Sequence, residues 1–97
     1  MTRILMHAVH QPRPEHVDDL LAAMSAINTA ADGLDGLEHI GAFQDPATGK
    51  IVAISLWGSM EALQAGAPTL LAGADGLPFD RWEDGEPELS MLSEVAR

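Results

Sequence analysis

The segment DPATGKIVAISLWGSMEAL, from Asp45 to Leu63, decides the fold because it places a turn, a strand and a helix start in direct succession. Its first part, Asp45 to Gly49, has the composition of a hairpin loop, and its glycine permits a positive φ. Lys50 to Trp57 is apolar and rich in β-branched residues, which predicts a strand. Ser59 is a good helix N-cap, and Glu61 suits the positive end of a helix dipole. The segment therefore predicts a β-hairpin that leads directly into a helix.

Upstream of this segment the sequence predicts a strand, a helix and a second strand. Arg3 to Val9 is short, apolar and rich in strand formers. The prolines of the next segment, Gln11 to Pro14, forbid ladder pairing, and the last of them suits the first turn of a helix. From Glu15 to Ala30 apolar residues recur at helical spacing, which predicts an amphipathic helix. Leu37 to Gln44 then predicts the strand that pairs across the hairpin.

Downstream, the second helix is expected to break or kink at Pro68. Gly73 to Pro87 has the composition of an ordered loop, and Glu88 to Val95 predicts a fourth strand. The order β-α-β-β-α-β is that of the ferredoxin-like split βαβ plan, an α+β fold. We therefore expect a single domain over residues 1–97. In this plan an antiparallel four-stranded sheet of order 4-1-3-2 carries both helices on one face.

Composition excludes several classes of function. Fifteen acidic and five basic residues give a formal net charge of -10, which argues against binding to nucleic acid or to an anionic membrane surface. Cysteine is absent, so disulfides, thiolate nucleophiles and Cys-ligated metals are excluded. No segment approaches the roughly 20 apolar residues of a membrane span, and we expect a cytoplasmic protein.

The strands predict a homodimer that forms through the sheet face. In the third strand Val52, Ile54 and Leu56 are as apolar as the residues that alternate with them. A sheet with one solvated face would carry polar residues on that face. Two helices can cover only one face, so we expect a second copy of the chain to cover the other.

The stretch from Ile51 to Leu63, with its Trp-x-Ser-x-Glu-Ala-Leu pattern, resembles the antibiotic biosynthesis monooxygenase family. The resemblance covers nearly the whole chain and implies a dimeric α+β barrel, with a pocket between the sheet and the helices of each protomer. It also implies oxidation of a small aromatic or polyketide-like molecule by O2 with no flavin, haem or metal. Some members of the family degrade haem instead.

The sequence leaves two alternatives to an oxygenase open. The oxygenases of this family commonly combine Trp with Asn and Tyr, whereas this chain has no Tyr and its only Asn is Asn28, on the first helix. These differences favour a non-catalytic small-molecule-binding or regulatory module on the same fold. Haem binding is a weaker third alternative, because Gln64 to Pro68 lacks the His that haem-degrading relatives carry on the second helix.

His7 and Trp57 are the candidate catalytic residues. Trp57 ends the third strand on the side that the resemblance assigns to the helices, where its N–H would reach a substrate oxygen. His7 is expected on the pocket-facing side of the first strand with Leu5 and Val9, where a neutral imidazole would take a proton from the substrate. The alternatives are a core role for Trp57 and, for His7, a buried imidazole bonded to a backbone carbonyl.

Seven further residues are candidates for the pocket wall. They lie on strands, on the first helix and in the loop before the fourth strand: Leu5, Met24, Phe43, Ser55, Phe79, Trp82 and Met91. We expect the acidic run around Trp82, which includes Glu83, to be a solvated face. No metal site is expected, since His7 and His10 point to opposite faces of their strand and no carboxylate is spaced to complete a ligand set.

Overall fold

A computed structural model describes residues 2–96 of the chain and confirms the predicted order of strands and helices. Three helices and four strands are labelled in chain order: β1 (Ile4–His10), α1 (Val17–Ala30), β2 (Leu37–Gln44), β3 (Ile51–Trp57), α2 (Met60–Ala74), α3 (Phe79–Trp82) and β4 (Glu88–Ser93). A single 3-10 turn, Pro14–His16, precedes α1. The segment predicted as a loop before β4 thus contains the short helix α3.

The four strands form one antiparallel sheet in the order β2-β3-β1-β4, which is the predicted order seen from the other edge. In the central pair, Ile4 lies opposite Trp57 and His10 lies opposite Ile51. At the turn between β2 and β3 Gly49 has a φ of 78°, and its N–H donates to the carbonyl of Asp45 at 2.8 Å. The left-handed conformation that this turn requires explains the glycine.

Helix α2 begins as predicted but continues past the predicted break. The Ala62 N–H donates to the Ser59 side chain at 3.2 Å, so Ser59 is the N-cap. Pro68 lies inside the helix, which continues to Ala74, and the prediction that Pro68 breaks it is wrong. Pro68 is exposed, as is Gln64, whose carbonyl loses its helical partner, so water can replace the missing hydrogen bond.

One end of the layer between sheet and helices is tightly packed around Trp57. Trp57 is fully buried and contacts Ile4 and Leu63 in a single apolar cluster. Gly66 of α2 lies against the indole ring, and a Cβ at that position would be 2.4 Å from two ring atoms. The helix approaches the tryptophan this closely only because residue 66 has no side chain.

The other end of the same layer is built around Ile51, six residues away from Trp57 or about 20 Å along the strand. Leu20 and Met24 of α1 bury Ile51 there, and Phe79 and Trp82 of α3 pack against this second cluster. Because Ile51 and Trp57 lie on the same side of β3, both clusters occupy the helix-covered face of the sheet. Helices α1 and α2 therefore share one face, as predicted.

The opposite face of the sheet is apolar, and both long helices lie on the other side. It carries alternate residues of the two central strands: Leu5, His7, Val9, Val52, Ile54 and Leu56. Near its edges Phe43 is 56% exposed and Leu92 is 49% exposed. This is the pattern from which a covering second copy was predicted.

Candidate functional site

An apolar cavity of about 330 Å³ lies between the sheet and the helices. Side chains from β1, β3, both long helices and α3 form its wall, among them Met6, Ala8, Met24, Ile27, Ala53, Leu70 and Phe79. Five polar residues also border it: His7, His10, Asn28, Ser55 and Glu83. This size is at the lower end of the roughly 300–1,000 Å³ typical of small-molecule pockets. The arrangement suits a small apolar ligand oriented by few polar contacts.

The most unusual feature of the cavity wall is a buried His–Glu pair. His10 Nδ1 lies 2.8 Å from Glu83 Oε1, and the two side chains are only 12% and 2% exposed. Within residues 2–96 no group hydrogen-bonds the second carboxylate oxygen, Oε2 of Glu83, which is also buried. Buried polar atoms without a partner are rare in proteins and often mark functional sites.

Main-chain hydrogen bonds hold these two residues together although they are 73 positions apart. The segment after α3 forms an antiparallel bridge with the segment after β1, in which Pro12 pairs with Glu83. The Arg13 N–H donates to the Trp82 carbonyl at 2.7 Å, and the Asp84 N–H donates to the Gln11 carbonyl at 2.8 Å. Main-chain hydrogen bonds thus hold the chain on both sides of Glu83. The position of Glu83 beside His10 therefore does not depend on side-chain packing alone.

The pair defines which imidazole nitrogen is available for chemistry. An ionised carboxylate only accepts hydrogen bonds, so the Nδ1–H of His10 donates to Glu83. In the neutral imidazole this leaves Nε2 as the nitrogen that can accept a proton, with the carboxylate placed to stabilise an imidazolium. This is the arrangement by which a carboxylate orients a histidine base in many enzymes.

Trp57 lies outside the cavity wall. Its indole N–H donates to the Ser55 hydroxyl at 2.8 Å in a fully buried contact. Its single donor is thus used within the core, which favours the core role that the sequence left open for Trp57. Ser55 does line the cavity, so the tryptophan supports the wall from behind.

His7 points away from Trp57. Its partner in the ladder is Ile54, whereas Trp57 pairs with Ile4. Since side chains alternate along a strand, His7 projects from the face that the helices leave open, together with Leu5 and Val9. The prediction that the His7 side chain lies on the pocket-facing side of β1 is therefore wrong. His7 and Ile54 also border the cavity, and this alternation means that they do so with main-chain atoms.

The other predicted wall residues divide into two groups. Met24, Ser55 and Phe79 do line the cavity. Leu5 and Phe43 belong to the opposite face of the sheet, since they pair with Leu56 and Val52. Met91 is on the helix side of β4 but is 59% exposed. Trp82 packs edge-on against Phe79, with ring centroids 5.5 Å apart, and is not part of the wall.

His10 and Glu83 are the two residues that the sequence interpretation missed. His10 lies on the same face of β1 as Ile4, Met6 and Ala8. The sequence interpretation placed the pocket on the opposite face and therefore did not count His10 among the pocket residues. Glu83 stands among exposed acids, and composition alone predicts a solvated position for it. The one available signal was its place directly after the aromatic pair Phe79 and Trp82, which anchor this segment on the core.

Across residues 2–96 no group of three or more His, Asp or Glu side chains is arranged to hold a metal ion. In the same part of the chain no helix has the length and apolar character needed to cross a membrane.

The fold is shared with several solved structures. A "putative antibiotic biosynthesis monooxygenase" from Caulobacter crescentus CB15 superposes with a TM-score of 0.83 at 15% identity, over 98% of this chain and 92% of that chain. Rv0793 from Mycobacterium tuberculosis gives 0.82 at 20% identity, over 98% and 97% of the two chains. A second "putative antibiotic biosynthesis monooxygenase", from Chloroflexus aurantiacus J-10-fl, gives 0.72 at 17% identity, over 98% and 95%.

No protein-family model and no curated protein matches the sequence. At these identities the structural likeness establishes the fold, and the activity has to be argued from the cavity itself.

Proposed function

We propose that this chain is a monooxygenase that oxidises a small aromatic molecule with O2, without flavin, haem or metal. The observation that carries the proposal is the buried His10–Glu83 pair in the wall of an otherwise apolar cavity. The shared fold supports it, since two of the structures described above carry the name "putative antibiotic biosynthesis monooxygenase". The chain also resembles that family in the Trp-x-Ser-x-Glu-Ala-Leu pattern that ends at Leu63.

In the proposed mechanism His10 is the general base. Nε2 takes a proton from an activated C–H of the substrate, and Glu83 holds the ring and stabilises the imidazolium. The substrate carbanion passes one electron to O2, and the resulting radical pair combines to a peroxide anion. That anion recovers the proton from His10, and the hydroperoxide then loses water. The sum converts a CH2 group and O2 into a ketone and H2O, and so needs no other reductant.

The apolar wall has a definite role in this mechanism. Side chains such as Met6, Met24 and Phe79 exclude water from the space around the anion. Exclusion of water strengthens the interaction between the imidazolium and the carboxylate and prevents early protonation of the intermediate. The protein therefore supplies a base, an orientation and a dry site, while the substrate itself supplies the electrons.

Oxygen uptake with a panel of anthrones and hydroquinones, and no added cofactor, tests the proposal. His10→Asn should lower turnover by about 10²–10⁴, the usual contribution of a general base. His7→Asn is the matched control, because it removes a histidine from the same strand on the opposite face, and it should retain activity. Equal turnover in wild type and His10→Asn would contradict the mechanism, and loss only in His7→Asn would restore the opposite face as the site.

A second candidate is a non-catalytic binding module that uses the same cavity. The absence of Tyr and of any Asn except Asn28 favours it. The two functions differ in one simple respect, because a binding module would take up the aromatic compounds of the panel with no consumption of oxygen. Saturable binding together with flat oxygen traces for every compound would select the binding module.

Haem fits this site poorly. Helix α2 has no histidine, and Gly66, in the stretch where haem-degrading relatives carry one, is packed against the Trp57 ring. A titration with haemin should therefore leave the Soret band of free haemin unchanged.

We also propose that the chain works as a homodimer that forms through the open sheet face. Ile54 and Leu56 lie near the centre of that face, and Phe43 and Leu92 flank it with about half their surface exposed. A contiguous apolar face of this kind is unusual on a monomer. Light scattering coupled to size exclusion should give twice the mass of one chain for wild type and a single chain for Ile54→Asp. A monomeric wild type would contradict the dimer.

A further inference from the structure

We infer that Glu83 selects the ligand, with its free oxygen Oε2 accepting a hydrogen bond from an uncharged hydroxyl group at one end of an apolar molecule. The inference rests on the proposed cavity but not on the oxidation, since it concerns binding only. Glu83 Oε1 is already paired with His10, and Oε2 is buried without a donor from residues 2–96. A buried carboxylate oxygen in this state binds a donor more tightly than an exposed one, because no strong interaction with water competes.

The position of Glu83 in the cavity wall means that the preferred hydrogen-bond donor belongs to a ligand in the cavity. Its side chain is 2% exposed and Glu83 borders the cavity, so we place the approach of a donor to the buried Oε2 on the cavity side. The rest of the wall is almost entirely apolar. A ligand therefore gains most when one end donates a hydrogen bond and the remainder buries apolar surface.

Charge narrows the ligand class further. No Lys or Arg of residues 2–96 lines the cavity, and the chain carries a formal net charge of -10. A carboxylate, phosphate or sulfate on the ligand would meet the Glu83 charge with no cation to balance it. An ammonium group is also disfavoured, because the largely apolar wall offers few acceptors in place of its water shell. The chemistry that remains is a neutral hydroxyl on an aromatic or aliphatic ring system.

Calorimetric titration under anaerobic conditions tests the inference with three probes that share one skeleton. These are 1-naphthol, which has the hydroxyl donor, 1-methoxynaphthalene, which keeps the oxygen but lacks the donor, and 1-naphthoate, which is anionic. Wild type should bind 1-naphthol about tenfold more tightly than the methoxy compound, the effect of one net hydrogen bond. Binding of 1-naphthoate should be weaker than that of either neutral probe.

Glu83→Gln makes the test specific. The amide keeps an oxygen for the His10 Nδ1–H but presents an NH2 donor where Oε2 stood. The tenfold preference for 1-naphthol should disappear or reverse in favour of the methoxy compound. Asp84→Asn, which removes the same charge from the exposed neighbour, should leave the preference unchanged.

Each outcome decides the matter. Equal affinity of wild type for 1-naphthol and 1-methoxynaphthalene would overturn the inference, as would an unchanged preference in Glu83→Gln or no binding of either neutral probe. Because wild type alone shows the preference, an unstable Glu83→Gln would not remove the test. The expected preference, together with flat oxygen traces for every compound of the anthrone and hydroquinone panel, would contradict the proposed oxidation and leave the selection by Glu83 intact.

Discussion

The two ends of β3 differ in how they use the same face of the sheet. At one end Trp57 is fully buried, its indole N–H is bonded to Ser55, and α2 approaches so closely that only Gly66 fits. Towards the other end the layer encloses the cavity beside the packed Ile51 cluster, and the His10–Glu83 pair leaves one carboxylate oxygen without a donor from residues 2–96. At the first end the Trp57 donor has its partner within the protein. At the second end a donor to Glu83 Oε2 has to come from a bound molecule.

The comparison teaches that hydrogen-bond satisfaction separates core from site better than residue type does. A strand-end tryptophan is an obvious candidate for substrate stacking, yet its only donor is used internally. A glutamate in an acidic loop is an obvious surface residue, yet its oxygen is the unsatisfied atom. An interior polar atom without a partner is energetically costly, and so it is retained where binding compensates for it.

Loss of the aromatic at the closed end should have the largest effect on stability. Trp57→Ala is expected to lower the free energy of unfolding by about 3–5 kcal/mol, because it empties a fully packed position. Urea denaturation followed by circular dichroism measures this. Trp82→Ala is the control, since Trp82 is only partly buried and should cost less. A smaller loss for Trp57 than for Trp82 would show that the closed end is not the tighter one.

Removal of the histidine at the open end should have a smaller effect, about 2 kcal/mol, because it leaves Glu83 without its donor. His10→Ala measures this cost in the same denaturation experiment. The double variant His10→Ala/Glu83→Leu should be more stable than the single variant, since it removes the orphaned carboxylate as well. Simple additivity of the two changes would mean that the pair does not interact in solution.

Two glycines of α2 sharpen the comparison further. Gly66→Ala should destabilise the protein by about 1 kcal/mol net, because overpacking against Trp57 outweighs the gain in helix propensity. Gly73→Ala is the matched control in the same helix: its Cβ would meet only the Ile27 side chain, at 3.3 Å. That variant should be neutral or up to about 1 kcal/mol more stable. Equal melting temperatures for the two variants would contradict the tight packing at Gly66.

The smallest expected effect concerns a surface ion pair remote from the cavity. Hydrogen bonds from Arg3 lower the pKa of Glu94 below its ordinary value of 4.5. A carboxyl whose pKa is lower in the folded state stabilises the fold above pH 4.5, and this contribution is lost as the pH falls through the lowered pKa. Glu94→Gln should therefore reduce the melting temperature slightly at pH 7 and by less at pH 3. An equal shift at both pH values would exclude the ion pair as its cause.

The sequence was sufficient for the fold because local signals agreed with one another. The hairpin after β2, the Ser59 cap and the strand and helix periodicities each specify one element, and together they permit the observed sheet order. The helix does not break at Pro68, because a proline on the exposed side of a helix removes one hydrogen bond and water can still reach the carbonyl that loses its partner. Sequence periodicity does not show which side of the helix faces water until the packing is known.

The site was less predictable for a different physical reason. Both faces of β1 are apolar, and a shift of one residue in register exchanges them, so the sequence did not show whether His7 or His10 faces the helices. Glu83 reaches His10 only through the bridge between Pro12 and Glu83, a contact between segments far apart in the chain. The spacing of residues along the sequence does not predict such a contact.

A nitrogen-correlated NMR titration with 1-naphthol tests the central claim most directly, because the chain has only two tryptophan indoles and four histidines. We expect the ring resonances of His10 to shift on binding, while the Trp57 indole N–H stays in place and protected from exchange. His10→Asn removes and so identifies the His10 ring signals, and Trp82→Phe leaves the indole signal of Trp57. A Trp57 signal that moves while His10 remains unchanged would contradict the account and place the ligand at the closed end.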